Sequence, residues 1–406
     1  MKLLFLHPNF PGQFLHLAMY FAQTGRDEVV YLSKETNGSR LRNVKVALYK
    51  PTRETTKDIH PYVRPLEEAV LEGQAVVRGL SELQKKGFVP DVVVGHSGWG
   101  STLYVKDFYP KTPLIGYFEW YYNVFGSDVV YWPDETASDD ARLRLRTRNA
   151  HHLLALEATD IGYCPTEWQR KQFPARHRDW LQVAHEGIDT DYFCPKEGAG
   201  GGLTLTEAKL RLPQGREIVT YVSRGFEPYR GFPQFMDAVR LLLARRPKCH
   251  VVLAGSDRSC YGPAPADGKT WRQIEEEKGS YDASRVHFVG RLDRADYLRL
   301  LQASTVHVYL TRPFVLSWSP LEAMAAGCCL VASATPPVEE VVEDGTNGLL
   351  ASFRHPAHIA DRIEEALEDE GLRARLGTAA RETILSRYNL PEARRRQLNL
   401  IYSAVQ

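Results

Sequence analysis

The chain has 406 residues, 43% hydrophobic and 25% charged, which excludes a disordered polymer and exceeds what one ordinary core holds. Lysine and arginine total 51 against 50 aspartate and glutamate, so the marked basic excess of a dedicated nucleic-acid binder is absent. Two globular domains, with no nucleic acid as partner, are the expectation.

The first residues read as strand, tight loop, helix. Leu3 to Leu6 form a continuous apolar run, the pattern of a parallel strand buried on both faces. That run ends at His7-Pro8, too short for a secretory signal, and no small-residue cleavage site follows. Asn9 to Gln13 form a turn cluster, and Phe14, Leu17 and Tyr20 start a helical pattern. Val29 to Leu32, Val44 to Leu48, Val92 to Val94 and Leu114 to Tyr117 are further strands, with a helix from Leu66 to Lys86. The second of these strands is interrupted by a lysine. Gly198-Ala199-Gly200-Gly201-Gly202 reads as a linker or exposed loop. A second alternating series follows: strands at Ile218 to Val222, Val251 to Ala254, Val286 to Val289, Val306 to Tyr309 and Cys329 to Ala332, and a helix at Gln234 to Ala244. The stretch from Pro391 to Val405 is helical and arginine-rich, with Leu398, Ile401 and Tyr402 as its apolar stripe. Alternating strands and helices in both halves predict two doubly wound α/β domains whose ligands meet the loops beyond the strand ends, in a cleft.

The six cysteines show no CxxC spacing and read as reduced thiols of a cytoplasmic protein. No stretch approaches the ~20 apolar residues of a membrane-spanning helix. Arg142, Arg144, Arg146 and Arg148 admit peripheral membrane contact, but a solvated helix face is the preferred reading.

Four local patterns carry candidate chemistry. Ser319, Pro320 and Glu322 have the spacing of an N-cap, a first-turn proline and a capping-box glutamate, which needs no ligand. The same helix start can instead offer N–H groups to a phosphate, with Glu322 taking both hydroxyls of a ribose. Arg224 and Arg230 flank a Gly- and Pro-containing loop directly after a strand, and two guanidinium forks there suit a diphosphate; a solvated loop is the competing reading. Neither a Gly-Lys-Ser/Thr phosphate loop nor GxGxxG occurs. His96 and Glu119 follow strands of the first half, where they serve either as acid/base or acceptor-binding groups or as structural hydrogen-bonding residues. Asp189-Thr190-Asp191 spells DxD beside the linker and is taken as structural, and no His/Cys cluster has metal spacing.

Together these segments resemble glycosyltransferase family 4, retaining enzymes of the GT-B fold. Leu321 to Gly327 with Val331-Ala332-Ser333 is similar to the family's "LEAMAxGxPVVAS" signature, and Val338 to Leu350 to its "PEVVEDGxNGLL" segment. Glu186-Gly187-Ile188-Asp189 with Phe193 and Pro195 resembles the "NGxD" entry to the second domain, and Val286 to Gly290 the "VxFxG" strand. The resemblance implies Rossmann-like domains at 1–190 (acceptor side) and 191–385 (donor side), with 386–406 a helix returning to the first. It implies that Arg224 and Arg230 hold the donor diphosphate, although the second is usually lysine, and that Glu322 binds the nucleotide ribose. It places Gly12 at the donor phosphates. Backbone N–H groups of Ser317 and Trp318 are expected to hold the sugar and phosphate. No metal or other cofactor is expected. Two positions depart from the family. Phe314 stands where its first glutamate contacts the transferred sugar, and Glu119 where a histidine is usual. The expected activity is retaining transfer from a nucleotide sugar, a UDP-sugar favoured, to an unidentified acceptor, with catalytic roles for Glu119, Arg224 and Arg230. Phe314 keeps open the alternative of an inactive GT-B binding or chaperone partner, and an epimerase or phosphorylase is the third reading.

Overall fold

The computed structural model describes residues 1–36, 38–196, 202–279 and 281–405. The expected linker therefore lies outside the described residues except for Gly202. The chain divides into two compact units, Met1–Gly187 with Pro391–Gln406, and Ile188–Leu390.

The first unit is built on β1 (Lys2–Leu6), β2 (Glu28–Ser33), β3 (Val44–Leu48), β4 (Val92–His96), β5 (Leu114–Tyr117), β6 (Ile161–Cys164) and β7 (Gln182–Val183). They form one parallel sheet in the order β3-β2-β1-β4-β5-β6-β7. The pleat explains the unbroken apolar runs, because successive side chains enter opposite cores. Leu3 and Phe5 join Phe14, Phe21, Val92 and Tyr117 on one face. Leu4 and Leu6 join Val30, Leu80, Val93 and Leu114 on the other. β3 pairs only with β2, and its lysine, Lys45, is exposed at that sheet edge. The helix Leu390–Ala404 adds Leu398, Leu400 and Ile401 to the first core.

In the second unit β8 (Leu203–Leu205) and β9 (Leu210–Leu212) make an antiparallel hairpin. β10 (Glu217–Gly225), β11 (Cys249–Ser256), β12 (Val286–Gly290), β13 (Val306–Tyr309), β14 (Leu330–Ser333) and β15 (Leu349–Ala351) form a parallel sheet in the order β12-β11-β10-β13-β14-β15. The chain enters this unit at Ile188 and leaves at Leu390, and the two passages are joined: Ile188 N–H donates to Tyr388 O (2.8 Å) and Leu390 N–H to Ile188 O (2.9 Å).

Each sheet grows outward from its first strand in both directions. The order reverses between β1 and β4 in the first unit, and between β10 and β13 in the second. At such a reversal the loops leaving the two strands diverge to opposite faces and open a crevice beyond their carboxyl ends. The loops concerned are Pro8 to Gln13 and Ser97 to Gly100, and Glu227 to Gly231 and Leu310 to Ser317.

The strands β6, β7, β8, β9 and β15 carry no clear signal in the sequence. They are two to four residues long, and β6 is broken by Gly162, where an added Cβ would meet the Trp180 ring at 2.4 Å.

Candidate functional site

In the second unit β10 runs directly into the arginine loop. Arg224 is exposed at the strand end, and its carbonyl accepts from Ser256 Oγ at 2.6 Å. One 3-10 turn, Pro228–Arg230, follows. Gly231 then takes φ +66°, and a Cβ there would stand 2.6 Å from Leu310 Cβ, so the turn needs glycine. The geometry draws Arg230 inward to 3% exposure. Its Nη1 donates to Tyr309 Oη (2.8 Å), Thr311 Oγ1 (2.7 Å) and Val315 O (3.1 Å), each of them neutral. Tyr309 Oη also accepts from Ser317 N–H at 3.0 Å. One hydroxyl thus couples the buried guanidinium to the start of the helix Trp318–Ala325.

That helix corrects the capping-box expectation. Its N-cap is Ser317, extended at φ −74°, ψ 158°, with no side-chain cap bond. Ser319 and Pro320 lie inside the first turn, so Glu322 is beyond the third helical position a capping box requires. The side chain serves another partner: Tyr297 Oη donates to Glu322 Oε2 at 2.8 Å. Burial raises the Glu322 carboxyl above its ordinary range, opposed by the Tyr297 bond and by Arg294. Ser317 is half-buried and Trp318 is 41% exposed.

Phe314 is buried at 9% exposure and packs edge-on against Tyr229 (centroids 5.6 Å, 87°) and Tyr261 (5.4 Å, 61°). Of the two aspartates of the DxD pattern, Asp189 is structural in form: it accepts from Tyr192 N–H (3.1 Å) and pairs with Arg294 (3.2 Å). Among the described residues no group of three or more His, Cys, Asp or Glu is arranged to hold a metal ion.

In the first unit one histidine relay ends on Glu119, and a second histidine stands beside it. Asn9 N–H donates to His7 Nδ1 at 2.9 Å, which puts the ring proton on Nε2, and Nε2 faces Gln13 Oε1 at 2.7 Å. Gln13 Nε2 then donates to Glu119 Oε1 at 3.0 Å. Burial, with His96 close by, holds the His7 pKa well below the usual histidine value, so the ring is neutral. From the other side Gly98 N–H donates to His96 Nδ1 (3.0 Å), and His96 Nε2 stands 3.6 Å from Glu119 Oε2, beyond hydrogen-bond range. His96 Nε2 is buried without a hydrogen-bond partner among the described residues. Trp99, 42% exposed, lies over His96 with centroids 4.4 Å apart. Gly12 opens the 3-10 turn Gly12–Phe14 at φ +49°, and a Cβ there would strike the His7 ring at 2.7 Å.

The structure thus places Gly12, His96 and Glu119 in one unit and Arg224, Arg230, Ser317, Trp318 and Glu322 in the other, where Tyr309 links Arg230 to Ser317 and Glu322 is held by Tyr297. His7, Gln13, Tyr297 and Tyr309 complete these networks. Nothing in their spacing marks them: Gln13 reaches Glu119 across 106 residues, Tyr309 meets Arg230 from the neighbouring strand, and Tyr297 meets Glu322 from another helix.

Residues 25–193 match the family model for the glycosyl transferase family 4 group, and residues 204–383 the model for glycosyl transferases group 1. The chain belongs to the group 1 glycosyl transferases. The D-inositol 3-phosphate glycosyltransferase of Nocardioides sp. is 26% identical over 242 residues, 56% of this chain and 50% of that protein. The one from Streptomyces avermitilis is 29% identical over 207 residues, 50% of this chain and 42% of that protein. The chain spans about half the length of the curated relatives it matches. Among solved structures, sucrose-phosphate synthase from Thermosynechococcus elongatus superposes with a TM-score of 0.73 at 19% identity, covering 99% of this chain and 98% of that one. Anabaena Alr3699/HepE in complex with UDP gives 0.69 at 16% identity, covering 99% and 100%, and the same protein has been solved with UDP-glucose. These likenesses establish the GT-B fold. Within this group 1 glycosyl transferase, the Asp139–Arg148 helix buries none of its residues. Its arginines pair locally, Arg142 with Asp139 (3.3 Å) and Arg144 with Asp140 (3.0 Å), the form of a solvated face. Among the described residues no helix is long and apolar enough to cross a membrane.

Proposed function

We propose that this protein is a metal-independent, retaining glycosyltransferase that moves a sugar from a nucleotide-sugar donor, a UDP-sugar by preference, to an acceptor hydroxyl. The observation that carries the reading is Arg230, a guanidinium held at 3% exposure by three neutral acceptors. Burying a charge without a counter-charge is costly, and an anionic ligand supplies what the fold leaves out. Arg224 at the adjacent strand end and the helix start at Ser317 and Trp318 add donors for a diphosphate. Glu322, four residues further along that helix, is assigned to the ribose diol. UDP and UDP-glucose in the Anabaena structures favour uridine as the base.

In the proposed reaction the bond from the anomeric carbon to the diphosphate oxygen breaks and the acceptor oxygen takes its place on the same face. The acceptor proton passes to the departing diphosphate, giving a glycoside and a nucleoside diphosphate. Arg224 and Arg230 stabilise the negative charge that develops on the leaving group, the largest electrostatic demand of the step. Glu119 and His96 are assigned to the acceptor: an acceptor oxygen would satisfy the buried His96 Nε2–H, whose unpaired state costs ~1–3 kcal/mol. The free thiols suit a reducing compartment, and we assign the enzyme to the cytoplasm.

The test is a panel of UDP, GDP and their sugars, read first by thermal shift and then by nucleotide release with a set of acceptors. A rise in Tm with one nucleotide, and an NMR coupling showing that the product keeps the donor's anomeric configuration, are expected. No shift at millimolar concentration of any nucleotide would sink the proposal, and an inverted product would refute retention.

A further inference from the structure

The loop after β11 is fixed to the arginine loop by a side chain that the donor reading does not use. Glu227 is fully buried, and its carboxylate accepts from three successive backbone N–H groups, Cys260 (3.0 Å), Tyr261 (2.9 Å) and Gly262 (2.8 Å). A carboxylate holding several N–H donors is a strong anchor because each bond is charge-assisted. Close backbone approach enforces the same registration. A Cβ on Gly225 would meet Arg258 O at 2.2 Å, and one on Gly262 would meet the Tyr229 ring at 3.0 Å.

What this anchor presents is an aromatic ring. Tyr261 remains 37% exposed, although its ring centre stands 5.0 Å from the Arg230 guanidinium and 5.9 Å from that of Arg224. Phe314 braces it at 5.4 Å and is braced in turn by Tyr229 at 5.6 Å. Three aromatic rings, Tyr261, Phe314 and Tyr229, are therefore gathered beside the two guanidiniums. At 5.0 and 5.9 Å from the guanidiniums, the Tyr261 ring is within reach of a group ester-linked to a phosphate that either arginine would hold. Aromatic faces engage the C–H face of a pyranose through dispersion and burial, whereas carboxylates engage its hydroxyls.

We propose that Tyr261, backed by Phe314 and Tyr229 and positioned by Glu227, is the subsite for the sugar ring of the donor, binding it by stacking. The proposal rests on the donor reading above. It makes sugar recognition depend on ring shape and C–H surface, with no acidic group at Phe314 selecting individual hydroxyls. Tyr261 is then a sugar-binding residue, and Glu227 a positioning residue that acts through it.

The experiment is isothermal titration of the full chain with UDP-glucose and, separately, UDP, using wild type, Tyr261→Ala and Tyr261→Phe, with Tm confirming that each folds. Tyr261→Ala is expected to weaken UDP-glucose by about tenfold, ~1.4 kcal/mol, while UDP changes by less than about threefold. Tyr261→Phe, which keeps the ring, is expected to stay within about threefold of wild type for both. Equal losses on UDP and UDP-glucose would mean that Tyr261 acts only through the arginines, and that overturns the proposal. So does an unchanged UDP-glucose affinity in folded Tyr261→Ala. Wild-type protein that binds neither compound overturns the donor reading itself and this subsite with it.

Discussion

Replacing Glu322 by glutamine separates a ligand contact from a structural one, because only the ligand contact predicts a loss of nucleotide affinity while stability is kept. The carboxylate accepts from Tyr297 Oη at 2.8 Å, and a glutamine carbonyl can keep that bond. What the amide cannot do is accept from a second donor on its nitrogen. A ribose diol donating to a carboxylate makes charge-assisted bonds of ~1.5–3 kcal/mol each, against ~0.5–1.5 for neutral ones. Losing one such bond and weakening the other costs about tenfold or more in nucleotide affinity. Stability moves the other way. Burial raises the Glu322 carboxyl above its unfolded value, so the folded state binds the proton more readily than the unfolded chain does. The stabilising contribution of such a group is full below its unfolded pKa and is lost as pH rises through the folded pKa. At pH 7 the wild-type carboxylate therefore carries a penalty that glutamine lacks. Glu322→Gln should show an equal or higher Tm at pH 7, converging with wild type near pH 4, together with weaker UDP binding by titration calorimetry. Unchanged UDP affinity in a folded variant would refute the ribose assignment and leave Glu322 as the partner of Tyr297. A lower Tm at pH 7 would refute the electrostatic reasoning.

Arg224→Ala should lower kcat by roughly 10²–10³, the ~3–4 kcal/mol associated with one transition-state donor, with Tm nearly constant because the side chain is exposed; near-normal turnover would make Arg224 an ordinary surface arginine. Arg230→Met should behave differently, lowering Tm as well as nucleotide binding, since Tyr309, Thr311 and Val315 each lose a donor at ~1–3 kcal/mol for the buried groups left unpaired. Acid should destabilise the fold through buried histidines. Burial depresses His307 to about 3 and holds His7 and His152 well below 6.5. The unfolded chain takes up those protons first, so stability is full above about pH 6.5 and is lost as pH falls toward 3. Tm measured from pH 8 to 4 should fall below about 6.5, and His307→Gln should flatten that limb. Turnover should be the same with and without EDTA; activity restored only by manganese or magnesium would overturn metal independence.

Much of the architecture was legible along the chain. Runs such as Leu3 to Leu6 and Val306 to Tyr309 are apolar at every position because a parallel strand feeds two cores at once, and that local pattern survives without knowledge of the partners. The arginine loop, the helix start near Ser317 and the strand-end position of His96 and Glu119 could be read for the same reason: each lies just beyond a recognisable strand. The short strands Gln182–Val183 and Leu349–Ala351 could not, since two or three residues carry no period and exist only as the next rung on a sheet already built. The helix cap lies elsewhere than local composition suggests. Ser319-Pro320 has the composition of a start, yet the Tyr309 hydroxyl takes Ser317 N–H and sets the first turn two residues earlier. Sequence alone therefore determined which residue types lie at the strand ends. Tertiary structure decided what they do there: Arg230 turned inward onto Tyr309, Gln13 linked to Glu119 across 106 residues, and Tyr261 was brought to the arginines by a glutamate 34 positions away. Such contacts follow from the order of strands in a sheet, and strand order leaves no trace in local spacing.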